Sequence, residues 1–65
     1  MKYKKNDQII LKKDFIVPGS ALFHNTVVII TNVDHLFQTY DIENLDGEYI
    51  TDISKKELEI NSYKI

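Results

Sequence analysis

Apolar positions in this chain come in short runs separated by turn residues, and no window holds the three-to-four spacing of a long amphipathic helix. Gln8 to Lys12 reads as a first strand. Thr26 to Val33 is the clearest strand, and its four consecutive β-branched residues, Val27-Val28-Ile29-Ile30, call for burial on both faces or for a bulge that switches face midway. Asn32 to His35 then turns. Phe37 to Asn44 alternates, with Phe37, Thr39, Asp41 and Glu43 on one face and Gln38, Tyr40, Ile42 and Asn44 on the other. Asp46-Gly47 predicts a tight two-residue hairpin turn of type I′, because glycine accepts positive φ and aspartate tolerates it. Glu48 to Ile53 returns as the next strand.

Two segments interrupt this pattern. Lys13 to Asn25 is irregular and holds Pro18-Gly19-Ser20. Proline is excluded from a central strand and Pro-Gly marks a turn, so a long loop is expected after the first strand. Loops of that length in small domains tend to carry function. Ser54-Lys55-Lys56-Glu57 fits a capping box, but only Leu58 and Ile60 follow before Asn61-Ser62, which predicts a single helical turn of 3₁₀ type. Tyr63 to Ile65 is long enough for a brief closing strand.

At 65 residues the chain makes one domain. A domain of that size buries roughly 60% of its unfolded surface, so its core is thin. There is no cysteine to reinforce it. The longest apolar run has four residues, far short of the ~20 needed to cross a bilayer. The amino-terminal Met1-Lys2-Tyr3-Lys4-Lys5 leads into no apolar segment, so it does not read as a signal peptide, and a cytoplasmic protein with a flexible basic end over residues 1–5 is expected. Charge is uneven: five lysines face Asp7 alone in residues 1–13, while nine carboxylates face three lysines in the remainder. Arginine and tryptophan are absent, which removes the usual bidentate reader of bases and two favoured interface residues.

The order strand, long loop, strand, turn, strand, tight hairpin, strand, helical turn, short strand resembles the SH3-like small barrels. Asn6-Asp7-Gln8-Ile9-Ile10-Leu11 is similar to the Gly-Asp-x-Val opening common in bacterial SH3-like domains, with Asn6 in place of the glycine. Leu45-Asp46-Gly47-Glu48 resembles their distal hairpin, and Ile53 to Leu58 resembles the helical turn before their last strand. The resemblance spans roughly residues 6 to 60. It implies an all-β fold: a five-stranded SH3-like barrel with a long loop after strand 1 and a single helical turn before the last strand. Recognition of proline-rich peptides is not implied, since the tryptophan and the Ala-Leu-Tyr-Asp-Tyr-like segment of signalling SH3 domains are missing. The arginine-free usage, rich in lysine, isoleucine and asparagine, also looks like the small accessory proteins of phages and mobile elements of AT-rich Gram-positive bacteria, many of which bind a host or phage protein.

Candidate chemistry is sparse. His24 and His35 could pair with Asp14, Asp34 or Asp41 for a metal or a proton relay, but neither has metal-ligand spacing and both read as surface residues. Asp41, Glu43, Asp46, Glu48 and Asp52 form an acidic ribbon on the third and fourth strands, a solvated face that discourages edge pairing and that could also dock a basic partner. No nucleophile motif or phosphate-cradling loop is present. Seven aromatics are the more informative feature. Tyr40 with Tyr49 or Tyr63 suits the core, while Phe15, Phe23 and Phe37 flank the long loop and a turn.

The expectation is therefore a non-enzymatic module without cofactor or metal, binding a protein whose identity the sequence does not specify. Its face would comprise Phe15, Ile16, Val17, Leu22 and Phe23 from the loop, with His35 and Phe37 from the nearby turn. Self-association into a homodimer or higher oligomer through exposed strand edges is a second expectation. A Tudor- or KOW-like nucleic-acid role is the alternative, with Lys2, Lys4, Lys5, Lys12 and Lys13 on phosphates and Tyr3 stacked on a base. The acidic body argues against it, and weak or absent binding to duplex DNA and single-stranded RNA is expected at physiological salt.

Overall fold

The computed structural model describes all residues from Met1 to Ile65. Seven strands and one short helix follow in the order β1 (Gln8–Leu11), β2 (Phe15–Val17), β3 (Ser20–Leu22), β4 (Val27–Asp34), β5 (Thr39–Asn44), β6 (Tyr49–Ser54), α1 (Lys55–Ile60) and β7 (Ser62–Lys64). Five strands make one antiparallel sheet in the order β6-β5-β4-β1-β7, and β2 and β3 make a separate hairpin. The edge strands β6 and β7 do not pair, so the sheet is curled without closing into a hydrogen-bonded barrel.

Alternation in the strands sets the core. Ile9 and Leu11 of β1, Val28 and Ile30 of β4, and Tyr40 and Ile42 of β5 all point inward and are buried. The run Val27–Ile30 alternates without a break: its inward pair is Val28 and Ile30, its outward pair is half-buried, and the bulge comes after it, where the register against β5 shifts between Ile30 and Asn32. In β6 the buried residues are Ile50 and Ile53, three apart, because a second bulge intervenes with Asp52 at φ 59°. Asp52 holds this left-handed conformation by donating its amide to Asp41 Oδ1 at 2.9 Å.

The expected long loop is instead an ordered hairpin. Phe15 pairs with Leu22, Ile16 with Ala21 and Val17 with Ser20, and Pro18-Gly19 forms the two-residue turn with Gly19 at φ 86°. Proline followed by glycine in positive φ is the chemistry of a type II turn, so the residues that interrupt a central strand here connect two short ones. Phe15 and Leu22 point into the core and are buried, while Ile16 and Val17 are exposed.

Other expectations are corrected in detail. Strand β4 runs through Asp34, and the turn falls at residues 35–38, which leaves Phe37 outside β5. Asp34 Oδ1 caps this turn by accepting the amides of Leu36 and Phe37, both at 3.0 Å. The β5–β6 turn is not type I′: Gly47 has φ 86°, but Asp46 has no positive φ. The Gly47 amide donates to the Asn44 carbonyl at 3.3 Å, and Asn44 Oδ1 accepts the amides of Asp46 and Glu48. That is a type I turn closed by a glycine bulge, a three-residue loop. The helical turn is α rather than 3₁₀: Ser54 caps it by accepting the Glu57 amide at 3.1 Å. The Glu57 carboxylate does not complete the capping box and pairs with Lys13 instead.

Residues 1–5 are not a free tail. Tyr3 is buried at 1% exposure, its ring centroid 5.5 Å from that of Tyr40. It takes the core place expected of Tyr49 or Tyr63, both of which are exposed. No helix is long and apolar enough to cross a membrane.

Candidate functional site

The molecule's concave surface lies between the β2–β3 hairpin and the outer edge of β6. One depression of about 630 Å³ has Val17 to Ser20 on one wall and Gly47 to Thr51 on the other. A second, of about 500 Å³, lies between Lys13 to Val17 and Ile50 to Ser54, with Glu57 of α1 at its end. The two meet at Val17, Ile50 and Thr51, so together they follow β6 over its length.

The strands explain why this furrow exists. β6 is the last strand of its sheet, and β3 packs alongside its outer edge without a main-chain hydrogen bond to it. No backbone hydrogen bond joins the hairpin to the sheet, so the two are held together through the core by Phe15 and Leu22. At the hairpin's base Asp14 Oδ1 accepts both the amide of His24, at 2.9 Å, and its ring Nδ1, at 2.7 Å. The amide bond, then the ring bond, hold the Asp14 carboxyl below its ordinary value. Lys13, beside Asp14, pairs with Glu57 and ties the base to α1. Ile16 and Val17 stand outward from β2, and Tyr49 stands outward from β6.

The furrow is acidic. Asp14, Glu48, Asp52 and Glu57 line it against Lys13 alone. Ser20 Oγ is buried on its wall and has no hydrogen-bond partner within the protein.

The residues expected to form one binding face are only partly brought together. Ile16 and Val17 line the furrow; Phe15 and Leu22 line the core beneath it. Phe23 is exposed at the far end of β3. His35 and Phe37 lie in the β4–β5 turn with the exposed Leu36, and that turn is bonded to the start of α1, where Gln38 O accepts the Lys55 amide at 2.8 Å. The missed contributor is Tyr49, which the sequence places with the core aromatics; Glu48 and Asp52 belong to the acidic ribbon expected to dock a basic partner, and their place beside the hairpin becomes visible only with the sheet order.

The lysines of the nucleic-acid alternative do not form a stacking site with Tyr3, whose ring is buried and whose hydroxyl bonds Ser62 Oγ at 2.7 Å. Lys12 lies over the Tyr63 ring and Lys13 over the Phe15 ring, 5.8 and 5.1 Å from the centroids. His24 meets Asp14 as a pair at the hairpin's base, and no three metal-ligating side chains converge anywhere.

A second cluster, away from the furrow's lining, is a polar network. Tyr40 Oη accepts the Tyr3 amide at 3.0 Å and donates to Glu59 Oε2 at 2.6 Å. Glu59 also accepts the Lys2 amide and pairs with Lys55 at 3.2 Å. Burial, then the bond to Glu59, push the Tyr40 phenol up to about 12. Burial alone would raise the Glu59 carboxyl, but the bonds from Tyr40, Lys2 and Lys55 hold it below its ordinary value.

Comparison with protein-family models, with curated proteins and with solved structures returns no match.

Proposed function

We propose that the chain is a non-enzymatic protein-interaction module on an SH3-like barrel, of the kind that phages and mobile elements use against a host or phage protein, and that its binding face is the furrow between the hairpin and β6. The barrel reading draws support from the strand order β7-β1-β4-β5-β6, with the hairpin inserted between β1 and β4 and the helical turn just before β7. The carrying observation for the binding face is the coincidence of exposed apolar residues (Ile16, Val17, Tyr49) with the furrow between the hairpin and β6. Apolar surface of this kind on a small domain marks an interface.

Selection from a displayed random-peptide library against the immobilised protein tests the proposal. Enriched sequences should bind the wild type, lose about ten-fold or more in affinity to an Ile16→Thr/Val17→Thr variant, and bind Leu36→Ser unchanged, a contrast of roughly 1.4 kcal/mol or more between the two sites. Enrichment of no sequence over background would overturn the reading.

A further inference from the structure

We propose that the outward face of the sheet, over β7, β1, β4 and β5, is a two-fold interface with a second copy of this chain. This goes beyond the furrow and uses none of the residues tested there.

Strand pairing assembles the face. Between the buried inward residues, Ile10 of β1, Val27 and Ile29 of β4, Glu43 of β5 and Tyr63 of β7 turn outward. The register sets them side by side. Tyr63 is opposite Ile10 and Ile10 opposite Val27 in one row; Gln8 is opposite Ile29 and Ile29 opposite Glu43 in the next. An antiparallel sheet with one wet face ordinarily alternates apolar inward with polar outward. β1 and β4 carry aliphatic residues on both faces instead, and the bulge does not account for it, because the register shifts only after Ile30. The hairpin and α1 join the core from the inward side, through Phe15, Leu22 and Leu58. The outward row keeps Ile10, Val27 and Ile29 half-buried and Tyr63 46% exposed.

Charge selects the occupant. Lys12 lies over the Tyr63 ring at one end of the face, and Glu43 stands on β5 at the other, across β4. Neither has an ion-pair partner within the chain. In a two-fold pair residue i meets j and j meets i, so Lys12 of each copy can face Glu43 of the other, with Ile10 and Val27 covered between them. A surface of one sign would leave one of these charges unmet, and a nucleic-acid backbone would be repelled by Glu43 and its neighbour on this face, Asp41. A specific interface covers ~800 Å² per partner, about a fifth of this chain's 4273 Å² and on the scale of one broad side of a molecule 26 × 26 × 19 Å.

Sedimentation equilibrium of the full chain tests this. The wild type should show twice the 7.6 kDa chain mass and fall to the monomer on dilution. Amide shifts at Ile10, Val27, Ile29 and Tyr63 should change with concentration. Lys12→Glu and Glu43→Lys should each weaken association about ten-fold or more, because the two-fold sets like charges opposite one another twice. An equimolar mixture of the two variants should restore it to within about three-fold, since each copy then supplies the sign the other needs, and recovery on mixing shows both to be folded. A monomeric wild type at ~1 mM, where a Kd of that order would still pair half the chains, would overturn the proposal. So would a dimer indifferent to both variants, no recovery on mixing, or shifts confined to Ile16, Val17 and β6. A monomer that still selects peptides through Ile16 and Val17 would lose this interface and keep the furrow.

Discussion

The two ends of this small sheet solve opposite problems. Where the amino-terminal segment, β5, α1 and β7 meet, Tyr3, Tyr40, Glu59 and Ser62 satisfy one another's polar groups around packed rings. Where the hairpin faces β6, the two pack together without a main-chain hydrogen bond and apolar side chains stand in solvent. The first arrangement adds stability that a thin core needs; the second exposes surface that stability alone would have covered. The difference teaches that the domain is anchored from α1 and its first residues, and that the hairpin side keeps exposed the apolar surface proposed for recognition.

The largest effect expected from breaking this contrast is at Tyr3. Its ring is buried against Tyr40 and its hydroxyl meets Ser62 Oγ, which itself donates to the Leu58 carbonyl. Tyr3→Ala should cost about 3–5 kcal/mol, as for other buried aromatics. That is most of the stability of a 65-residue domain, at roughly 0.05–0.15 kcal/mol per residue. Tyr3→Phe keeps the ring and should lose only about 1–2 kcal/mol for the hydroxyl and the partner it leaves unmet. Urea denaturation of both variants measures this. A Tyr3→Ala midpoint equal to wild type would mean that residues 1–5 are a tail after all.

Next comes Gly47, in the turn that positions Glu48 and Tyr49 at the furrow. Nothing lies within 4 Å of a Cβ built there, so a substitution meets no clash and its cost comes from φ 86° alone. Gly47→Val should destabilise by about 1–3 kcal/mol, and Gly47→Asn should be nearly neutral. Equal midpoints for the two in chemical denaturation would remove the left-handed requirement.

These cases show what was legible before the structure. Alternation identified the inward residues of β5, and Ser54 announced the start of α1, because both signals are local. The Asp46-Gly47 turn was located but mistyped: Asn44 at the first position and Gly47 at the fourth are the marks of a type I turn, and the Asn44 side chain holds two amides that a type I′ turn would not need. Pro18-Gly19 was read as an interruption, although the same pair can reverse a hairpin, because strands of only three residues carry almost no periodicity. Tyr3 lay beyond any local signal, since its partners Tyr40 and Ser62 are 37 and 59 residues away. The furrow shares that difficulty: Ile16 and Val17 were identified as candidates, but the wall opposite them depends on which strand ends the sheet.

The alkaline limb probes the anchored end, while the acid limb reports Glu59 there together with Asp14 at the hairpin base and Asp7 before β1. Tyr40 titrates at about 12 in the fold, above its ordinary 10.0, so the neutral phenol contributes stability that is full below pH 10 and is lost as pH rises toward 12. Tyr40→Phe should flatten that limb. Glu59 is shifted the other way: its contribution is present above the ordinary glutamate value of 4.5 and is lost as pH falls below it. Denaturation midpoints across both limbs provide the check, and a limb unchanged in Tyr40→Phe would detach this tyrosine from the alkaline loss.

The smallest effect belongs to the open side, and its smallness is the point. Ile16 is 68% exposed and sits across β2–β3 from Ala21, so it has little cross-strand surface to pack against. Its neighbour Phe15 points inward, as strand alternation requires, and secures the hairpin to the core in its place. Ile16→Thr keeps the β-branched backbone preference while removing an apolar group that water already surrounds. The folded protein should therefore change by no more than about 0.5 kcal/mol, within the range of ordinary surface substitutions. The same variant should weaken peptide binding, because in the complex that side chain would be covered. Stability held with affinity lost is the outcome that separates a recognition surface from a structural one. A fall of several-fold more than 0.5 kcal/mol in urea denaturation would show instead that the hairpin's outer face packs against the domain, and the contrast between an anchored end and an open one would lose its second half.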